Sequence, residues 1–441
     1  MEVMNNNKNW LHLDFKGIVP SEPKIREWLD FFHKCGYERV IFEYDCRVQW
    51  DCWPDASDPR LTKDEIRRIA AHAAALGMEV IPLVQIHGHL DWILKHERYA
   101  YLREGGFVNE LCPQHPDAKP MIKAWIDEVL ELHPDIHYIH LGADETWHLC
   151  SCEKCREIAA RDTERGKIGV YLDHVGDICR YVIGKGLRPM IWADMFCSEN
   201  RTDLAGELPP ETILVNWQYA GDGPTETTAR LKASGLEVYG ASAIQCAWYE
   251  HWWCAMNNPG DRLVNVLGWN RSGLNVIHTT WGRPGNLWNL YPSWFGSVGV
   301  FIAAAAPERW QDHPWRPFFE EVSKALPRSW PHELEKLIDG AKALPAADRI
   351  EEEGRKWLEL GLRYQLMVKN YLGVELGRKC MDVTQAYIGR DPASYHKYYI
   401  EPQEKLEREL EEWCGEMTAF FRRNELSDSE EFVAEKRAIF S

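Results

Sequence analysis

KDEIRRIAAHAAALGMEVIPLVQIHGH, residues 63–89, decides the fold class. An amphipathic stretch (Lys63–Leu76) gives way after Gly77 to a short apolar run (Glu79–Leu83), and the run leads into Gln85-Ile86-His87-Gly88-His89. A helical period replaced within a few residues by a buried apolar run is the pattern of a helix feeding a strand. The same alternation recurs on both sides. Apolar runs fall at Trp10–Phe15, Arg39–Tyr44, Tyr138–Gly142, Pro189–Ala193, Ile213–Trp217, Glu237–Ala241 and Asn275–Trp281, with amphipathic segments at Lys24–Lys34, Met121–Leu132, Cys152–Lys185 and Glu226–Ala233. Eight strand–helix units in about 300 residues predict an α/β fold, a (β/α)8 TIM barrel, in preference to a doubly wound open sheet.

The character changes after Ala306. Residues 307–331 form a Pro/Trp-rich connector, and 332–441 are charged and helix-forming with no convincing strand. The expected organisation is therefore a barrel over 1–306, a connector, and a C-terminal α-helical extension. Its segments Ile350–Val374 and Glu401–Arg423 carry apolar residues at helical spacing (Trp357, Leu360, Leu362, Leu366; Leu406, Leu410, Trp413, Met417, Phe420), which reads as packing against the barrel or against each other.

The 441 residues include 51 Lys+Arg against 68 Asp+Glu and 21 Trp, and 45% are hydrophobic. Such a chain buries a large core and is neither disordered nor a disulfide scaffold. A net charge of −17 lacks the basic footprint that phosphates require, which argues against nucleic-acid and anionic-membrane partners and favours a neutral ligand. No apolar run reaches bilayer length, and Met1 to Asn9 is polar, so a cytoplasmic location is expected. Thirteen scattered cysteines suit a reducing compartment.

Barrel chemistry belongs at the C-terminal ends of strands. Those ends read Asp14-Phe15-Lys16, Glu43-Tyr44-Asp45, Gln85 to His89, His140 to Trp147, Trp192-Ala193-Asp194, Trp217-Gln218-Tyr219 and Trp281-Gly282-Arg283. Acids and tryptophans thus converge on one rim. Indole faces stack on the C–H faces of sugars while a few carboxylates take up the hydroxyls, so the combination suits a carbohydrate. Most of the tryptophans are read as core; Trp192, Trp217 and Trp281 close strands at the rim and are read as ligand-facing. The adjacent acids Asp144 and Glu145 cannot be the opposed carboxylates of an ordinary glycosidase, which flank the bond from separate strands. One can reach a glycosidic oxygen while its neighbour orients a second substrate group, the geometry of substrate-assisted hydrolysis.

The run His140-Leu141-Gly142-Ala143-Asp144-Glu145 resembles the His-x-Gly-x-Asp-Glu signature of glycoside hydrolase family 20, the β-N-acetylhexosaminidases. Gly77 to Pro82, continuing to Gly88-His89, is similar to that family's strand-three motif. Leu13–Gly17, Val80–Gln85, Leu94–His96, Leu130–Pro134 and Gly240–Ala243 resemble its compact hexosaminidase-D-like branch. The resemblance covers residues 10 to 300 or so and implies an exo-acting retaining enzyme that removes terminal N-acetylhexosamine, using the substrate's acetamido oxygen as nucleophile. It implies Glu145 as general acid/base, Asp144 as partner of the acetamido N–H, and Tyr219 as hydrogen-bond donor to the acetamido oxygen. By the same resemblance Trp192, Trp217 and Trp281 wall the pocket, and His89 and His140 support the acids. Asp14 and Asp194, at the rim, complete the expected substrate-binding set.

Two departures stand out. Asn9 occupies the place of an arginine that grips the sugar in many members, and Arg283 replaces the glutamate of the usual Trp-Gly-Glu. The choice among GlcNAc, GalNAc and a 6-modified sugar is therefore open, with Asp14, Lys16, Glu43 and Asp45 as candidate replacements. Cys150, Cys152 and Cys155 follow the acidic pair. The Cys-x-x-Cys spacing allows a structural zinc with a further ligand from Cys46, Cys52 or Cys112, but with no second such pair the cysteines are read as reduced thiols. No cofactor is expected, because acetamido participation needs none. Competing readings are a non-hydrolytic sugar-binding barrel and a metal-dependent hydrolase using His87, His89, His140 and Asp144. The oligomeric state is open, a homodimer included.

Overall fold

The computed structural model describes residues 8–17, 19–245, 259–281, 292–325, 331–380, 392–426 and 429–440. Its strands are β1 (Asn9–Asp14), β2 (Arg39–Glu43), β3 (Glu79–Leu83), β4 (Arg103–Glu104), β5 (Phe107–Leu111), β6 (Tyr138–His140), β7 (Arg188–Trp192), β8 (Ile213–Trp217), β9 (Glu237–Gln245) and β10 (Val276–Thr280). Eight of them close a barrel in the order β1-β10-β9-β8-β7-β6-β3-β2, and every pairing in it is parallel. Closure excludes the open sheet. The short antiparallel hairpin β4–β5 is an insertion after β3 that the sequence pattern did not disclose.

Alternate residues of the barrel strands meet inside. Trp10, Ile41, Ile81, Leu83, Met190, Trp192, Ile213, Val215, Tyr239, Ala241 and Ile277 form one buried cluster. Pairs such as Ile81/Leu83 and Met190/Trp192 follow the two-residue repeat of a strand, so one set of side chains fills the interior. The helix Lys63–Ala75 starts as its sequence suggests. Thr62 Oγ1 accepts a hydrogen bond from the Glu65 N–H, and the Glu65 carboxylate accepts one from the Thr62 N–H. The stretch expected as one helix over Cys152–Lys185 is instead two, Glu153–Arg161 and Gly166–Ile183. Asp162 breaks it: its carboxylate accepts from the Arg165 N–H at 3.1 Å, and Gly166 takes φ 57°.

The chain divides into two compact units, Met1–Cys246 with Asp261–Pro284 and Val300–Arg309, and Ala247–Gly260 with Gly285–Gly299 and Trp310–Ser441. Residues expected as a connector carry the helices Pro307–Trp310 and Arg316–Ala325. In the second unit the helices Arg349–Cys380 and Glu401–Arg423 pack their apolar stripes on each other. The Trp413 indole donates to the Leu360 carbonyl at 2.8 Å, and Trp357 meets Phe420 at 5.1 Å.

One close approach links fold to site. A Cβ on Gly88 would lie 2.3 Å from the carbonyl oxygen of Asp144, so the turn after β3 and the segment after β6 meet at a distance only glycine permits. Gly88→Ala is expected to cost about 1–3 kcal/mol of stability, read as a lowered thermal midpoint. An unchanged midpoint would show that the two segments can separate freely.

Candidate active site

β6 ends at His140, and the chain then turns sharply. Gly142, Ala143 and Glu145 have φ of 60°, 70° and 49°. Two of these are non-glycine residues in the left-handed region, a local strain that surrounding contacts must hold. Gly142 cannot be replaced without displacement, since a Cβ there would come within 1.9 Å of Gln85 Oε1. The Tyr171 hydroxyl donates to the Ala143 carbonyl at 2.9 Å, the Trp192 N–H to the Gly142 carbonyl at 3.0 Å, and the Glu145 N–H to Asp194 Oδ2 at 2.9 Å.

The strained turn presents Asp144 and Glu145 to one imidazole. His89 Nε2 lies 3.1 Å from Asp144 Oδ2 and 3.4 Å from Glu145 Oε2. Burial alone would lower the His89 pKa, but the Asp144 charge and the hydrogen bonds to both carboxylates outweigh it and hold it well above the usual imidazole value. The Asp144 side chain is 9% exposed and that of Glu145 24%, so Glu145 is the more accessible acid. Asp144 Oδ1 is buried without a hydrogen-bond partner. Burial and the nearby Asp144 carboxylate push Asp194 up to about 7.

Across the mouth, Lys16 is the hub of a second cluster. Its Nζ lies 3.1 Å from Asp14 Oδ2, 2.7 Å from Glu43 Oε1 and 3.8 Å from Asp45 Oδ2. Glu43 also meets His12 Nε2 at 3.1 Å and accepts from Gln85 Nε2 at 3.2 Å. Burial opposes the lysine's charge, yet the three carboxylates raise its pKa well above the usual value. An aromatic side links the clusters. Trp281 lies 5.5 Å from Lys16 Nζ, 4.5 Å from His12, 5.7 Å from Trp192 and 6.4 Å from Tyr219, and Tyr219 stacks on Trp217 at 5.1 Å. The backbone of this side is held by the helix Pro259–Asn270. Asn265 Nδ2 and the Trp269 indole donate to the Gln218 carbonyl at 2.9 and 3.0 Å, and Arg262 donates to that of Tyr219 at 3.1 Å.

Several expectations need correction. Trp192 is fully buried in the barrel core and so underlies the site rather than walling it, whereas Trp217, Tyr219 and Trp281 are half-buried. His140 is fully buried too. Its pKa is depressed by burial to about 3, and its Nδ1 accepts from the Gly142 N–H at 3.0 Å, so it braces the turn and reaches no ligand. Asn9 sits at the opposite end of β1 from the rim, donating to the Ala304 carbonyl at 2.8 Å; a sugar-gripping cation cannot come from there. Lys16 stands at the rim instead. Arg283 lies outside the described residues. The set His87, His89, His140 and Asp144 is not gathered as metal ligands; among the described residues the only such group is Glu104, Cys112, Cys152 and Cys155, without Cys150.

The family model "Glycosyl hydrolase family 20, catalytic domain" matches residues 43–251. Hexosaminidase D of Bos taurus is 30% identical over 249 residues, 54% of this chain and 69% of that protein. Hexosaminidase D of Homo sapiens is 32% identical over 224 residues, 48% of this chain but only 45% of that longer protein. The crystal structure of β-N-acetylhexosaminidase from Bacteroides fragilis superposes with a TM-score of 0.52 at 16% identity, covering 68% of this chain and 66% of that one, a likeness of fold.

Asp194 gives a pH test. Its folded pKa near 7 lies above the ordinary 3.8, so the native state holds an extra proton between these values. Stability contributed by this group therefore falls as pH rises from 3.8 to about 7 and is constant beyond. Asp194→Asn removes that dependence and keeps an acceptor for the Glu145 N–H. Its thermal midpoint is expected to exceed the native one at about pH 8, with the gap closing by about pH 4. A gap of the same size at both would contradict the raised pKa.

Proposed function

Because the chain belongs to glycosyl hydrolase family 20, in the hexosaminidase-D-like branch, and is a β-N-acetylhexosaminidase, we propose that it removes a terminal β-linked N-acetylhexosamine with retention by substrate-assisted catalysis. The observation that carries this reading is the state of Asp144, whose Oδ2 is taken by His89 while its Oδ1 is buried without a partner. A buried acceptor beside an accessible acid fits an acetamido N–H next to a glycosidic oxygen.

In the first step the Glu145 carboxyl gives its proton to the glycosidic oxygen as the bond from C1 breaks, and the acetamido oxygen closes on C1 from the opposite face. Asp144 accepts the acetamido N–H and stabilises the positive charge of the resulting oxazolinium. The Tyr219 hydroxyl donates to the acetamido oxygen and aims it. In the second step the Glu145 carboxylate takes a proton from water, whose oxygen attacks C1 and reopens the ring with net retention. Trp217 and Trp281 offer the stacking faces, with Trp192 as the floor beneath Trp281. Asp194 and His140 act through the backbone, the first on the Glu145 N–H and the second on the Gly142 N–H. Lys16 is the rim group suited to the sugar's remaining hydroxyls; Asp14, expected to bind substrate itself, has a fully buried side chain and instead holds Lys16, accepting from its backbone N–H at 2.9 Å and its Nζ at 3.1 Å. The substrate is a small glycoside or oligosaccharide. A cytoplasmic site of action accords with the described cysteines, none of which is in a disulfide.

Glu145→Gln is expected to lose about 10²–10⁴-fold in kcat/KM on a β-GlcNAc glycoside with a poor leaving group and far less on a dinitrophenyl one; equal losses would remove Glu145 from the acid role. Tyr219→Phe is expected to lose about 10²–10³-fold and to bind a GlcNAc-thiazoline correspondingly more weakly. If the thiazoline does not inhibit the native enzyme, acetamido participation is ruled out. Assays on β-GlcNAc, β-GalNAc, 6-sulfo-GlcNAc and β-glucoside substrates together test reaction and sugar.

A further inference from the structure

Away from the catalytic acids, the hairpin β4–β5 and the segment after Glu145 bring three cysteines and a glutamate together. We propose that Glu104, Cys112, Cys152 and Cys155 form a structural zinc site that clamps the hairpin to the segment following the catalytic pair. Their ligand atoms all lie within 4.8 Å of one another. Cys112 Sγ is 3.7 Å from both Cys152 Sγ and Cys155 Sγ, and Cys155 Sγ is 3.3 Å from Glu104 Oε2. Zinc–sulfur bonds of about 2.3 Å set tetrahedral S–S edges at roughly 3.8 Å, and a carboxylate oxygen at about 2.0 Å sets the S–O edge at about 3.5 Å. The observed spacings fit that tetrahedron and are far longer than a disulfide bond.

A second observation points to a cation independently of the thiols. Glu104 is fully buried, and no described Lys, Arg or His stands within ion-pair distance of it. Its Oε1 accepts from the Cys152 N–H at 2.7 Å, which leaves Oε2 facing the cysteines. A buried carboxylate without a positive partner is costly, and a divalent ion supplies one. The local backbone also suits a bound thiolate. Cys152 caps the helix Glu153–Arg161, and its sulfur accepts from the Cys155 N–H at 3.3 Å. Four protein ligands close the coordination sphere and leave no position for water, the pattern of a structural rather than a catalytic zinc.

The clamp joins pieces far apart in sequence. Glu104 ends β4 and Cys112 follows β5 directly, and the hairpin's Leu111 N–H donates to the His87 carbonyl at 3.0 Å while its Glu110 accepts from the His148 N–H at 2.8 Å. Cys152 and Cys155 follow Asp144 and Glu145 in the chain. The ion thereby secures both segments that carry His89 and the acidic pair, and this inference does not depend on the catalytic roles proposed for them.

The test is metal analysis of the purified full-length chain by plasma mass spectrometry, with X-ray absorption at the zinc edge. One zinc per chain is expected, with three sulfurs at about 2.3 Å and one oxygen at about 2.0 Å. Cys112→Ser and Cys155→Ser should each lose the metal, while Cys150→Ser should retain it. Removing zinc with a chelator under reducing conditions should lower the thermal midpoint by about 5 °C or more, and adding zinc sulfate should restore it. Less than about a tenth of an equivalent of zinc, both as purified and after incubation with zinc sulfate and a reductant, would overturn the proposal. So would a Cys112–Cys152 disulfide found by mass spectrometry, or a metal shell lacking sulfur.

Discussion

Carboxylates gathered at the mouth of a barrel, half withdrawn from water, must be compensated or they will take up protons, and this constraint organises the C-terminal end of the barrel. Asp14, Glu43 and Asp45 surround Lys16; burial works against all three charges, and Lys16 with His12 outweighs it only at Glu43, which is held low while Asp14 and Asp45 are pushed up. Asp144 and Glu145 share His89. Asp194 has no cation within ion-pair distance among the described residues, and burial together with the Asp144 carboxylate pushes it up to about 7. Trp281 lies 5.5 Å from Lys16 Nζ and connects to the acidic turn through Trp192 and His140. Replacing any one charge would therefore change the protonation of several others, and the acids are better regarded as two networks than as six independent groups.

The barrel was legible because a packed parallel sheet leaves a strong imprint: buried apolar runs separated by amphipathic helices, with polar residues where each run stops. All eight barrel strands lie within two residues of the ends read from sequence, apart from the longer β9. What escaped notice carries little periodicity. β4 is two residues long and is joined to β5 through Gly105 and Gly106, too short to display a period of two. The break at Asp162 depends on a local side-chain hydrogen bond that competes with the helix, and amphipathic spacing does not register it.

In the site, residue types and strand ends pointed to the right rim but not to the direction of each side chain. Trp192 closes its strand as Trp217 and Trp281 do, yet it falls on the inward set of β7 and is buried, because a strand alternates faces and its last residue can belong to either. Lys16 was identifiable only as one of four polar candidates; its central place follows from the ends of β1 and β2 meeting in space. The cysteine cluster shows the same limit. Cys-x-x-Cys supplies two neighbours, and the remaining members come from a hairpin about 40 residues upstream.

Parallel closure has a consequence for biosynthesis. β1 pairs with β10, Asn9 opposite Val276, a separation of 267 residues. At about 5–20 residues per second the ribosome needs roughly a quarter of a minute to a minute to deliver that partner. Throughout that interval β1 exposes a free edge that other nascent chains could join. Trp281 follows β10 immediately, so the growing chain can carry Asp144, Glu145 and Tyr219 long before it owns a complete pocket. The aromatic side of the rim is therefore complete only once the last barrel strand has been made.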